Sequence, residues 1–491
     1  MNRAERLARL LRVLAAIIAE PGLNPLELAQ RAGVSERTLR RDLAQLRDLG
    51  YDVAFTSGYE VQEKLNLDGR GQKKVQRTRG DDALLQAVAH AVETAGLWRD
   101  TEQQEPAPRP RKSRQSGPAP IVLIPIGDAD PDFIHATGFA VESGLYVRFK
   151  DQDDVLVVSP LEADRARAQA RVAKVVEDRD VYATGAWGAL AARLLRERGF
   201  AEARVAAGLP AVHLEGLLAA GVDAKVDRTL FVAERRRKSE RDAAAIEAAQ
   251  KAAEAAVVEV VRELARAEIR DGVLWSDGGP LTSEKLYARA QFALGELGFT
   301  CPDMIVASAP DNALPHYRGE GTIRAHAPVI IDIFPTSRST HFHGDLTRTV
   351  VVGEASEEVR RMHAATLQAL DAGIETIAAG VRGKDPHLAV VQVLLDRGFG
   401  ATTPKGFEGP DGAARMNHST GHGVGLEVHE EPGLRAVNDE PLEEGDVVTV
   451  EPGLYLLGFG GVRIEDTGMV TKNGFQNFTT LTRSLDPRDY L

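Results

Sequence analysis

Residues 417–433 read NHSTGHGVGLEVHEEPG. Three histidines, His418, His422 and His429, fall within twelve positions of this glycine-rich run, in a chain of 491 residues with only 12 histidines. Histidines so placed could be metal ligands, proton carriers or polar residues of a turn. The stretch alone does not choose between these. Working outward from it, four carboxylates lie in similar strand-like runs beside glycine or proline: Asp332 in VIIDIFP, Asp345 in GDLTRTVVV, Glu451 in VTVEPGLY and Glu465 in GGVRIEDTG. Taken singly, each reads as an ordinary surface or turn acid. Burying one unpaired carboxylate is costly, and gathering four would drive most of them to take up protons. Two divalent cations would cancel the four charges. Oxygen-rich ligation with one imidazole, that of His422, suits manganese first, with cobalt or zinc as alternatives.

The bulk composition frames this set. A chain of 491 residues exceeds one core and should divide into two to four domains. Its net charge of −12 argues against a protein that coats nucleic acid along its whole surface. A single cysteine, Cys301, excludes an internal disulfide framework and suits a reducing cytoplasm. No apolar run is long enough to span a bilayer, so no membrane partner is expected. The first helix instead places Leu7, Leu10, Leu11, Leu14, Ile17 and Ile18 at amphipathic spacing. Charge is unevenly spread. Residues 1–120 hold 20 Lys and Arg against 16 Asp and Glu, and the remainder holds 40 against 56. A basic head on an acidic body suggests two separable functions.

The head has its own pattern. NPLE (24–27) reads as a helix start, with Asn24 as N-cap, Pro25 as first helical residue and Glu27 closing a capping box. Gly33 ends that helix and Ser35 caps the next, whose Leu39, Leu43, Leu46 and Leu49 form a buried seam. YDVAFTSGYEVQ (51–62) reads as two short strands around Thr56-Ser57-Gly58. Three helices and a hairpin outline a winged helix-turn-helix over residues 1–64. Arg37, Arg40, Arg41 and Arg47 fall away from the leucine seam, and Thr38 and Arg41 share a face. From there Ser35, Arg37, Thr38, Arg40 and Arg41 could contact phosphates and base edges in a major groove. The bland alternative is a helical interaction module with a solvated arginine face. ELAQRAGVSERTLRRDLAQLRDLGYDV resembles the helix-turn-helix domains of bacterial transcriptional regulators. The weak positive balance implies a homodimer presenting two heads. Residues 65–120 read as a basic segment, one helix (81–98) and a linker with five prolines in 101–120.

Beyond the linker, IVLIPIG and DVLVVSP alternate with helical segments as an α/β domain over 121–237. A long helix near 238–268 then opens a domain of short strands and Gly/Pro turns, 238–491. The segments NALPHY (312–317), GDLTRT (344–349), HSTGHGVGLEVHE (418–430), TVEPGLY (449–455) and VRIEDTG (462–468) resemble the prolidase / Xaa-Pro aminopeptidase branch of the creatinase-fold ("pita-bread") metallopeptidases. FIHATGF (133–139) resembles that family's N-terminal domain. The overall expectation is an α+β protein: winged helix-turn-helix, α/β creatinase-like N-domain, pita-bread catalytic domain.

The resemblance implies that Asp345 and Glu465 bridge two metal ions, with Asp332 completing one site and His422 and Glu451 the other. It implies cleavage of Xaa-Pro peptide bonds by an activated water, with Glu451 managing its proton. His316, His418 and His429 would line the cleft and donate hydrogen bonds to the intermediate, and Arg463 would orient a carboxylate or Glu465 itself. Two more residues separate Asp332 from Asp345 than is usual in the family. The extra length is expected in an exposed hairpin carrying His341 and His343. A creatine-type amidinohydrolase would not require all five ligands, and a methionine aminopeptidase would lack the preceding α/β domain. The alternative of another class is a transcriptional regulator that uses the peptidase fold as a peptide or metal sensor.

Overall fold

The computed structural model describes residues 118–403 and 405–491. In the N-terminal part it describes residues 13, 17, 24–32, 34–35 and 38–43, and the backbone of 52–55 and 59–62. The chain divides into two compact units, Met1–Ala107 and Pro108–Leu491.

In the first unit, helix Pro25–Ala32 begins as its sequence predicts. Asn24 Oδ1 accepts the backbone N–H groups of Leu26 and Glu27 at 3.0 Å, and the Glu27 carboxylate accepts that of Asn24 at 2.9 Å. This reciprocal arrangement satisfies N–H groups that a helix start otherwise leaves unpaired. The next helix is capped by Ser35, whose Oγ accepts the Thr38 N–H at 3.2 Å. Leu39 and Leu43 bury against Val13, Ile17 and Leu28. Strands Asp52–Phe55 and Tyr59–Gln62 pair antiparallel, with Phe55 opposite Tyr59. Leu7, Leu10, Leu11, Leu14, Ile18, Gly33, Arg37, Leu46, Arg47, Leu49, the 81–98 helix and linker residues 101–117 lie outside the described residues.

The second unit starts with a six-stranded mixed sheet in the order Lys174–Glu177, Val155–Val158, Gly144–Arg148, Ile121–Leu123, Glu202–Ala206 and Asp223–Asp227. Alternate residues of a strand point to opposite faces. Val122, Leu145, Val147, Val155 and Val157 accordingly meet Trp187, Leu190 and Leu217 on one side. Ile121, Leu123, Tyr146, Leu156 and Val158 meet Phe133 and Phe231 on the other. A basic segment then crosses to the next domain, and all four of its charges are paired. Arg235 meets Asp132 of the small domain as well as Glu427 and Glu430. Arg236 grips buried Asp446 through two hydrogen bonds of 3.0 and 2.7 Å, Arg237 lies 3.4 Å from Glu443, and Lys238 lies 2.9 Å from Glu430.

The expected long helix spans Glu240–Arg266, and Ser239 and Asp242 close its capping box. Its Val257, Val260, Val261 and Leu264 pack on Val329, Ile331 and Ile333 of strand Pro328–Ile333 and on Leu346 and Val350 of strand Leu346–Val351. Period-two alternation therefore turns Asp332, Thr347 and Thr349 to the opposite face. Two five-stranded sheets complete the domain, backed by helices Glu357–Thr376 and Lys384–Asp396. No described helix is long and apolar enough to cross a membrane.

Candidate functional site

The inner faces of these sheets enclose a cavity of about 1150 Å³ lined by Asp332, Asp345, His422, Glu451 and Glu465. His316, His418, His429 and Arg463 line it too. Residues separated by up to 149 positions in the chain thus reach one space. Of the four carboxylates and His422, only Asp332 and His422 sit within strands. Asp345 precedes strand Leu346–Val351, Glu451 follows strand Val447–Val450, and Glu465 falls in the break between Gly460–Arg463 and Asp466–Thr471. Ligands at strand ends can turn inward without interrupting a ladder. The glycines of the opening stretch have a related purpose. A Cβ on Gly421 would collide with the Thr449 carbonyl, and one on Gly423 with the Glu431 backbone. Without side chains there, strand Gly421–Gly423 lies close enough to both neighbours to project His422 inward.

One oxygen of Asp345, one of Glu465 and a ring nitrogen of His422 lie within 4.8 Å of one another. His422 Nε2 is 3.7 Å from Asp345 and 3.5 Å from Glu451. Its Nδ1 faces the Gly423 carbonyl at 3.1 Å, an acceptor only, so Nδ1 carries the proton and the Nε2 lone pair points to the acids. That is the tautomer a metal-ligating imidazole needs. Burial, reinforced by neighbouring Glu465, holds Asp345 and Glu451 well above the usual carboxylate range. Burial and then Asp332 push Glu465 up to about 8. Burial takes His422 down to about 4, a neutral ring. Asp332 Oδ1 is buried without a hydrogen-bond partner. A crowded set of acids that resist ionisation, an aimed imidazole and an orphaned oxygen fit divalent cations.

Around this set runs a chain of hydrogen bonds that the sequence did not disclose. Arg463 donates to Asp332 Oδ2 at 2.6 Å and to the Tyr455 hydroxyl at 2.8 Å. Arg463 was expected to orient a carboxylate or Glu465 itself, and the carboxylate it meets is that of Asp332. The strand ends at Arg463, so Arg463 and Glu465 do not share a face, and Glu465 instead accepts from Thr347 Oγ1 at 2.8 Å. His418 Nδ1 lies 2.7 Å from the Ser419 carbonyl and must donate to it, leaving Nε2 to accept from Tyr455 at 3.1 Å. Neutral His418 therefore has no N–H left for an intermediate, contrary to the donor role expected of it. His429 stands edge-on to His422, ring centres 4.3 Å apart. Tyr455 lies only four residues beyond Glu451 in TVEPGLY. A buried hydroxyl's need for partners was the available signal.

The loop between Asp332 and Asp345 also differs from expectation. His341 and His343 are half-buried rather than exposed, and with His429 they line a second cavity of about 450 Å³. The loop contains a two-residue strand, Thr336–Ser337, paired with Phe299–Thr300, and the His343 N–H donates to Gly425 at 2.9 Å. These bonds draw the loop onto the His422 segment. In the N-terminal unit Ser35, Arg40 and Arg41 are exposed. Thr38, expected on an open face, is half-buried, its Oγ1 taken by Ser35 Oγ at 3.0 Å.

Residues 244–472 match the profile of metallopeptidase family M24, and residues 9–60 that of an HTH domain. The Xaa-Pro dipeptidase of Pyrococcus horikoshii is 32% identical over 251 residues, 50% of this chain and 64% of that one. The Xaa-Pro dipeptidase of Pyrococcus furiosus is 35% identical over 184 residues, 37% of this chain and 49% of that one. The chain thus spans about half to just under two thirds of these curated relatives. Among solved structures, Xaa-Pro dipeptidase from Bacillus anthracis superposes with a TM-score of 0.64 at 25% identity, covering 75% of this chain and 94% of that one. X-Pro aminopeptidase from Thermotoga maritima shares the fold, with a TM-score of 0.61 at 24% identity over 74% and 96% of the two chains. Residues 244–472 are a metallopeptidase family M24 domain with the pita-bread fold, carried in one chain with an N-terminal helix-turn-helix domain.

Proposed function

We propose that the protein is a peptidase that cleaves Xaa-Pro bonds with two divalent metal ions, and that its helix-turn-helix head binds DNA. The observation that carries the enzymatic reading is the convergence of Asp332, Asp345, His422, Glu451 and Glu465 on one cavity, with three carboxylates held above their usual range. Those five residues would hold the cations, manganese being the first choice for so oxygen-rich a set. Cations there would supply the Lewis acidity that polarises a peptide carbonyl and acidifies water. Glu451 takes the proton and passes it to the leaving proline nitrogen. His316 and His429 offer hydrogen bonds to the developing oxyanion. Arg463 fixes Asp332, and His418 fixes Tyr455 beside it. Metal analysis paired with a screen of Xaa-Pro peptides tests this reading; a purified protein that binds no divalent metal and cleaves none of the peptides would refute it.

The head supports a second activity. Exposed Ser35, Arg40 and Arg41, with Arg37 by sequence, form the face offered to a major groove, and a cytoplasmic homodimer would present two of them. The helix-turn-helix match also favours the reading in which peptide occupancy serves a transcriptional regulator. Gel shifts on DNA upstream of the protein's own gene, with and without peptide, separate the two. Arg41→Ala should weaken specific binding about tenfold or more, and unchanged binding would remove this docking face.

A further inference from the structure

Resting on the Xaa-Pro reading, we infer that the preferred substrates are peptides that continue beyond the proline, not free Xaa-Pro dipeptides. In a dipeptide the residue after the scissile bond carries a free carboxylate. A site that selects dipeptides needs a cation to receive it. Eight carboxylates line the cavity; setting aside the four proposed cation ligands leaves Asp303, Glu427, Glu430 and Glu431 against four arginines and no lysine. Each arginine already faces a carboxylate. Arg463 lies 2.6 Å from Asp332, Arg435 2.7 Å from Glu431, Arg318 2.9 Å from Asp303 and Arg235 3.0 Å from Asp132. Arg463 is enclosed and Arg235 nearly so, so neither can turn to a ligand without leaving a buried acid unpaired. Arg318 and Arg435 stand about half exposed, where an ion pair holds weakly. Of these two, Arg435 is kept close by geometry. Its guanidinium lies over Gly433, and its partner Glu431 also accepts the Gly433 N–H at 2.9 Å.

Size agrees with charge. About 1150 Å³ exceeds the roughly 300–1000 Å³ of pockets that enclose drug-sized ligands, and a dipeptide is smaller than those. The carboxylate of a bound dipeptide would meet Asp303, Glu427, Glu430 and Glu431 beside guanidinium groups that each already face a carboxylate. An amide or a further residue at the same place brings no charge. Selection here works through a penalty on the wrong substrate.

The test compares Ala-Pro, Ala-Pro-amide and Ala-Pro-Ala with the metal-loaded full-length protein. kcat/KM should be about tenfold or more higher for the amide and the tripeptide than for the dipeptide. Equal rates, or a dipeptide preference, overturn this inference and leave the Xaa-Pro reading standing. Cleavage of none of the three refutes that reading instead. Glu431→Gln, which keeps the bond to Gly433 but releases Arg435 from its charge partner, should narrow the amide-to-dipeptide ratio several-fold, mainly through the dipeptide's KM. An unchanged ratio overturns the part assigned to the Glu431–Arg435 pair.

Discussion

Two clusters of buried charge lie on opposite faces of strand Leu346–Val351, and they are built on opposite terms. On one face Arg348 is fully enclosed, and each of its five N–H groups has an acceptor: the carbonyls of Thr347, Glu465, Leu481 and Thr482, and Asp466 Oδ1 at 2.9 Å. On the other face Asp345, Glu451 and Glu465 crowd together; burial raises the proton affinity of all three and Asp332 adds to it, Arg463 offsets this at each, and Thr347 and Arg348 offset it at Glu465. The first cluster is complete within the chain and belongs to the framework. The second is incomplete, and its missing positive charge is what makes it a site. Burial alone does not separate the two. Partner counting does.

The sharpest way to break this contrast is Glu451→Gln, which removes the proposed proton carrier but little volume. Activity toward Xaa-Pro peptides should fall about a thousandfold, with circular dichroism and melting temperature nearly unchanged. Arg348→Met should do the converse, lowering unfolding free energy by roughly 3–5 kcal/mol, because four buried carbonyls and Asp466 Oδ1 lose their donor while Asp466 Oδ2 keeps Arg483 and Asn477. Denaturant titration checks it.

Acidity separates the clusters next. Glu465 is held at about 8 in the folded chain, so the metal-free fold binds protons that the unfolded chain has already released. Its contribution is complete below the ordinary glutamate value and disappears as pH rises through 8, a change on the order of a few kcal/mol. Saturating manganese should flatten or reverse that slope in melts between pH 5 and 8.5. His418 and His422, both held near 4, act in the other sense. Stability falls as pH drops from 6.5 through 4, where the unfolded rings take up protons and the folded ones do not.

The smallest expected effect belongs to Tyr455→Phe. Loss of the hydroxyl between His418 and Arg463 should lower kcat about tenfold or less, at the scale of one hydrogen bond. KM should hold steady while the acid limb of the pH profile shifts. A change confined to KM would place Tyr455 against the substrate instead.

The candidate site was legible in the sequence where chemistry demands an uncommon residue beside a permissive backbone. His422 between glycines, Glu451 before Pro452 and Asp345 after Gly344 are such places. The fold was legible where period and caps agree, as at Asn24–Glu27. What stayed hidden depends on sheet register. Thr347 meets Glu465, and Arg463 meets Asp332, across more than a hundred residues. Nothing local marks either pair. The loop from Phe334 to Gly344 was read as exposed because its hold on Gly425 and Phe299–Thr300 is also non-local, across tens of residues.

The paired segment Arg235–Lys238 has a consequence for how a peptide arrives. Asp132 of the small domain, Glu427 and Glu430 of the cavity wall, and Glu443 and Asp446 elsewhere in the second domain hold it before any ligand comes. A mould braced in advance imposes little ordering on itself when it is filled. Recognition then resembles casting more than grasping, and chain length is read by whatever protrudes from the rim.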